Sequence, residues 1–267
     1  MIRDITIGQY YKADSVIHRL DPRVKLMGTL IFIISLFMGM NIWIYAVVTV
    51  ALAVVIKMSR IPLKFMVRGL KSIVILIIIS AVFNLFLTPG DVLIQIWKLT
   101  ITYQGLKMAI FMVVRLIYLI VGTSLMTLTT TPNNLTDGLE KGLGFLKVIQ
   151  VPVHEIAMMM SIALRFIPIL IEETDKIMKA QMARGADFEN GSLIKRAKAM
   201  VPILVPLFVS AFRRANELAM AMEARCYHGS EGRTKMKPLK YEKRDRIAYI
   251  SMVLYLGVII IVKIIAA

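Results

Sequence analysis

Between Leu26 and Ile56 the chain carries no formal charge. A bilayer core is crossed by about 20 apolar residues of helix. The run is therefore too apolar for water and too long for one crossing. Gly39-Met40-Asn41 divides it, which predicts a tight hairpin of two helices. Further uncharged runs lie at Ser72 to Gly90, Leu116 to Thr136 and Ile247 to Val262. Hydrophobic residues make up 58% of the chain, against about 45–50% in soluble domains. That content rules out a disordered chain and argues against an ordinary soluble domain. The predicted fold class is an all-α membrane protein of about five transmembrane helices, joined to long amphipathic cytoplasmic helices. The stretch before Leu26 carries Asp4, Asp14 and Asp21 and no apolar core, so no signal peptide is expected.

The net charge of +16 comes from 33 basic and 17 acidic residues. A basic, apolar chain fits an anionic leaflet or an acidic partner; the bases sit between apolar spans, which argues against nucleic acid. Lys57, Arg60, Lys64, Arg68 and Lys71 share a loop with no acid, which places that loop in the cytoplasm by the positive-inside rule. The hairpin then puts the N-terminus inside, and five spans put the C-terminus outside. The stretch 137–246, with 19 bases and 13 acids, is expected to be cytoplasmic. Arg115 has two readings. In a span beginning near Tyr103 it lies at mid-membrane and needs a carboxylate or carbonyl partner. In a span beginning at Arg115 it is a snorkelling anchor.

Residues 132–229 fit neither membrane nor soluble domain. Pro132 to Asp137 reads as a helix start, continued by Leu135, Leu139, Leu143 and Leu146 on one face. A second helix is predicted from Pro152 to Gly185 and a third from Ser192 to about Cys226. Each has an apolar, proline-containing stretch, then an amphipathic end, then a short motif: Ala183-Arg184-Gly185 and Ala224-Arg225-Cys226. The positions of the two arginines differ by 225 − 184 = 41, a spacing that fits a duplicated helical hairpin. Helices of this kind are expected at the membrane surface. A guanidinium offers five donors in a planar fork, and small neighbours let a partner backbone approach, so each motif suits insertion into an acidic groove. Taken singly, each motif also reads as simple helix termination, with arginine complementing the helix dipole and Gly185 as the cap. The matched pair favours docking.

Reactive chemistry is scarce. No Gly-x4-Gly-Lys-Ser/Thr loop is present, and His154-Glu155 lacks a second ligand because position 158 is Met158. Glu172-Glu173-Thr174-Asp175 has no second acidic cluster to match it, and Lys176 and Lys179 can pair with these acids along the helix. The lone Cys226 excludes an intramolecular disulfide and a thiolate metal cluster.

The paired motifs resemble the two Ala-Arg-Gly-type signatures of the transmembrane T component of energy-coupling factor (ECF) transporters. Arg165-Phe166-Ile167-Pro168, Ala180-Gln181-Met182, Ala215-x-Glu217-Leu218-Ala219-x-Ala221-Met222-Glu223, Leu20-Asp21-Pro22-Arg23-x-Lys25 and Thr130-Thr131-Pro132 are similar to the same family. Cys226 stands where glycine is common. The resemblance implies a coupling subunit, not an enzyme, in a bacterial cell membrane. It implies an N-terminal membrane domain over 1–131, a coupling region over 132–243 and a last transmembrane helix over 244–267. Ala183, Arg184, Gly185, Ala224, Arg225 and Cys226 would contact two ABC-type ATPases, which hold ATP and Mg²⁺, so this chain needs no cofactor or metal of its own. Met158, Met159, Met160, Met220 and Met222 resemble the platform for a small membrane-embedded S component that binds a vitamin or metal ion. Membrane lipids are the remaining partner. The alternative is a membrane-embedded enzyme acting on a lipid or isoprenoid.

Overall fold

The computed structural model describes residues 10–96, 99–186, 188, 192–229, 236 and 238–265. They form α1 (Pro22–Phe37), α2 (Ile42–Ser59), α3 (Leu63–Leu87), β1 (Val92–Ile96), β2 (Leu99–Thr102), α4 (Tyr103–Thr129), α5 (Pro132–Gly142), α6 (Val153–Ala183), α7 (Leu193–Glu223) and α8 (Lys243–Ile265). The all-α membrane architecture is as expected, with one antiparallel hairpin, β1–β2, between α3 and α4. The chain before Tyr10, most of the loop after Gly185 and part of the linker after Gly229 lie outside the described residues.

The helix boundaries follow local chemistry. Asp21 caps α1 through its side chain, with Pro22 as the first helical residue. The Asn41 carboxamide oxygen accepts the Trp43 amide at 3.1 Å and starts α2, so the hairpin turns where the sequence predicts. Among the described residues, four helices are long and apolar enough to cross a bilayer: α2, α4, α6 and α8. α3 makes a fifth if Leu63–Lys71 and Ile73–Leu87, bent by 62°, count as one span. The number of spans matches the expectation, but its membership changes in two places. The 16 residues of α1 rise about 24 Å, short of a core of about 30 Å. α6 enters the set because its charges gather in its second half, leaving an apolar first half.

Arg115 follows the first reading in its position but not in its partner. α4 begins at Tyr103, with the Thr102 hydroxyl accepting the Gly105 amide at 3.0 Å, so Arg115 sits well inside it. It is 8% exposed, and its Nε donates to the Tyr45 hydroxyl at 3.0 Å. Its guanidinium also faces the Phe37 ring at 5.0 Å. Among the described residues its partners are a phenol and an aromatic face rather than a carboxylate or carbonyl. A further correction concerns α5. Thr131 starts it by accepting the Asn134 amide at 3.3 Å, but it ends at Gly142. Leu143 and Leu146 fall beyond it, Leu146 in a short 3-10 helix over Gly144–Ile149.

The chain divides into two compact units. One comprises residues 8–138 and 239–267, the other residues 139–238. Two cores hold the first unit: Leu36, Ile44, Tyr45, Val48 and Ile259 in one, and Ile61, Met66, Leu125 and Leu128 in the other. The segment 20–25 ties this unit together. The Asp21 amide donates to Asp245 Oδ1 at 2.9 Å, and the Glu242 amide donates to Asp245 Oδ2 at 2.8 Å. Arg23 pairs with Asp21 at 2.9 Å and stacks 3.8 Å over the Tyr241 ring. Lys25 Nζ donates to the carbonyls of His18 at 3.1 Å and Thr129 at 2.8 Å. The start of α1 is thus fixed to the start of α8 and the end of α4. Burial alone would push the Asp21 carboxyl up. The bonds from the Arg23 side chain and amide, with the Arg23 and Lys25 charges, outweigh it and hold the carboxyl below its ordinary value.

Candidate functional site

The second unit is built on α6 and α7, each of 31 residues. Between them lies a groove of about 320 Å³, lined by Ile162, Phe166 and Leu170 on α6 and by Ala211, Leu218 and Met222 among others on α7. Arg214 also lines the groove and bridges to Glu173 on α6. Glu173 Oε2 accepts from Arg214 at 2.7 Å and its Oε1 accepts from the Ser210 hydroxyl at 3.0 Å. The expectation that Lys176 and Lys179 pair with the acids of this cluster along the helix does not hold for Glu173, whose partners are on α7. An inter-helix partner within direct reach wins over a solvated neighbour.

From that bridge the groove runs toward the N-terminus of α6 and toward the C-terminus of α7. The helices therefore have opposite sense along it. The step from Glu173 to Arg184 is 184 − 173 = 11, and that from Arg214 to Arg225 is 225 − 214 = 11. Each motif sits about 16 Å of helix beyond the bridge, and the opposed helices carry the two motifs to opposite sides of it. The separation 214 − 173 = 41 equals that of the motif arginines. The repeat that picks out Arg184 and Arg225 could also have picked out this bridge.

Both helices end in one and the same cap. After α6 the Gly185 amide bonds the Met182 carbonyl and the Ala186 amide bonds the Gln181 carbonyl, both at 3.0 Å. After α7 the Cys226 amide bonds the Glu223 carbonyl at 2.9 Å and the Tyr227 amide bonds the Met222 carbonyl at 3.1 Å. This is the paired reverse bonding of a Schellman motif, which needs a left-handed residue just past the helix. Gly185 takes φ 88° and Cys226 takes φ 56°. The glycine does this freely; the cysteine does it at a cost. Helix termination and arginine display are thus one structure, since the cap fixes where Arg184 and Arg225 leave the helix.

All six motif residues are exposed. Neither guanidinium has a hydrogen-bond or ion-pair partner among the described residues. The methionines divide: Met159, Met160 and Met220 are exposed, Met158 is half-buried, and Met222 turns into the groove. An apolar stripe that the sequence locates only as the proline-containing centre of α7 runs through Leu204, Val205, Phe208, Val209 and Phe212, each 48–68% exposed. His154 shares a hydrogen bond with Glu140 Oε1 through Nδ1 at 2.9 Å, fixing the start of α6 within this unit.

Membrane-length helices, together with paired helices that carry matched, exposed arginines, are what the sequence resemblance implies. Comparison with known proteins agrees. Residues 13–236 match the family model CbiQ, described as cobalt transport protein. The energy-coupling factor transporter transmembrane protein EcfT of Clostridium kluyveri is 57% identical over 250 residues, 93% of each chain. The protein of that name from Thermosediminibacter oceani is 56% identical over 94% of each chain. That of Bacillus subtilis is 47% identical over 95% of this chain and 96% of its own. The chain belongs to this family of ECF transporter transmembrane components. The relatives are named as transporter components and not as enzymes, so the lipid-modifying alternative is not favoured.

Proposed function

We propose that the chain is the coupling subunit of an ECF-type importer, joining two cytoplasmic ABC-type ATPases to a small S component that binds a vitamin or metal ion. One observation carries the reading. Two arginines without a partner among the described residues stand on matching caps, about three turns of helix beyond the Glu173–Arg214 bridge and on opposite sides of it. A single partner would be served by one motif; two matched motifs facing apart suit two related subunits. Arg184 and Arg225 each enter an acidic groove on one ATPase, with Ala183, Gly185, Ala224 and Cys226 leaving room for its backbone. Such an arginine is a hot spot of about 2 kcal/mol or more. Closing of the ATPase pair on ATP then moves α6 and α7 through the two contacts, and the bridge makes them move together. ATP and Mg²⁺ stay with the ATPases, and this chain supplies no cofactor. The exposed stripe of α7, with Met158, Met159, Met160 and Met220 on the same two helices, offers an adaptable apolar face to the S component. Met222 serves the groove instead. The proposed orientation, N-terminus in the cytoplasm and C-terminus outside, takes α1 with α2 as a short crossing hairpin and keeps α6 at the cytoplasmic surface, with 1–131, 132–243 and 244–267 as working segments.

Pull-down of the full-length chain from bacterial membranes tests this. Two ABC ATPases and a small apolar membrane protein should come with it. Recovery of the intact chain alone under conditions that preserve known membrane complexes would overturn the reading.

A further inference from the structure

The first unit contains a second cavity, of about 510 Å³, which the coupling role does not use. It lies among α1, α2, α4 and α8 and the segment before α1. Along α8 it extends from Arg244 to Tyr255, about 16 Å of helix. That depth matches one leaflet of a hydrocarbon core of about 30 Å. Its length is lined by Phe32, Leu52, Val55, Leu125, Ala248 and Met252, all apolar. At the deep end the Tyr255 hydroxyl is satisfied by Ser35 at 2.7 Å. Both cationic lining residues, Lys25 and Arg244, stand at the other end, where α1 and α8 begin and α2 and α4 finish.

Those two cations are incompletely matched. Lys25 Nζ meets two neutral carbonyls, leaving its third N–H and its charge without a carboxylate within ion-pair reach among the described residues. Arg244 pairs with Glu242 at 2.9 Å through one terminal nitrogen, while its buried Nε has no partner among the described residues. A cation held against carbonyls at the mouth of an apolar cleft is favourable when an anion completes it. Membrane leaflets offer anionic phospholipid in bulk.

We infer that this cavity is a binding site for an anionic phospholipid, one acyl chain lying along α8 toward Tyr255 and the headgroup phosphate between Lys25 and Arg244. The segment 20–25 then has a purpose besides tying helices together, because it sets Lys25 at the mouth. A bound lipid would brace α1, α2, α4 and α8 in one arrangement.

The test uses the full-length chain in nanodiscs and native mass spectrometry. Phosphatidylglycerol and phosphatidylcholine of equal chain length compete for it. Phosphatidylglycerol should be retained in preference. Lys25→Gln and Arg244→Gln should each weaken retention about fivefold, and Ala248→Phe should block it by filling the cleft. A photoreactive phosphatidylglycerol, with its diazirine near the chain end, should label Phe32, Met252 or Tyr255 in the unaltered protein. That labelling reports even if a variant does not fold. Equal retention of the two lipids, or labelling confined to the outer faces of α3 and α8, would overturn the inference.

Discussion

The two caps share hydrogen bonds and differ in one residue, so they predict opposite responses to substitution. Gly185 has nothing within 4 Å of where a Cβ would stand. Gly185→Ala therefore meets no clash, and its cost is that of the backbone alone. A left-handed non-glycine residue costs about 1–2 kcal/mol; the stiffer unfolded chain returns about 0.4–1 kcal/mol. The net is a loss of about 1 kcal/mol at the end of α6. Cys226 already bears this cost at φ 56°, so Cys226→Gly should gain about as much at the end of α7. Amide exchange of the peptides spanning 185–186 and 226–227 reads the result. Exchange should speed about fivefold for Gly185→Ala and slow about fivefold for Cys226→Gly. Shifts of the same sign in both variants would refute the argument, since they would show that the capped ends do not share one conformation.

Three further outcomes are expected. In a double-mutant cycle of Glu173→Ala and Arg214→Ala, thermal melts should give a coupling of about 0.5–1 kcal/mol, modest because the pair is 24% and 35% exposed. Tyr45→Phe leaves the buried Arg115 Nε unpartnered and should cost about 1–3 kcal/mol in detergent unfolding, whereas a surface tyrosine change should cost little. Acid should loosen the segment before α1. Burial lowers the His18 pKa below 6.5 despite the bond to the Tyr11 carbonyl, so the unfolded segment binds a proton first as pH falls through 6.5. Asp21, depressed below 3.8, contributes stability above that value and loses it as pH falls further. Exchange across 15–25, corrected for the intrinsic amide rate, should therefore accelerate in two stages on acidification, and a corrected rate that ignores pH throughout would contradict it.

The helices and their caps are legible because they depend on local patterns. Uncharged runs mark helices that lipid must solvate, and Asn41 and Gly185 announce helix ends through side-chain size and capping. What escaped depends on contacts across the chain. Arg115 finds Tyr45 on another helix, and no pattern in α4 points to a phenol instead of a carboxylate. Glu173 prefers Arg214 on α7 to lysines one turn away, although the repeat shared with the motif arginines held the clue. α5 stops early because Gly142 and Gly144 weaken the helix that the leucine spacing alone would continue. The cavity behind Lys25 was invisible because its walls come from four helices.

Charge reversal at the two arginines tests the central claim most directly. Arg184→Glu and Arg225→Glu, singly and together, are followed by membrane insertion, ATPase recovery and ATP-driven uptake. Insertion should persist in all three. Each single variant should weaken one contact, and the double variant should recover no ATPase and show no uptake. A double variant that still co-purifies with two ATPase subunits and transports normally would contradict the account.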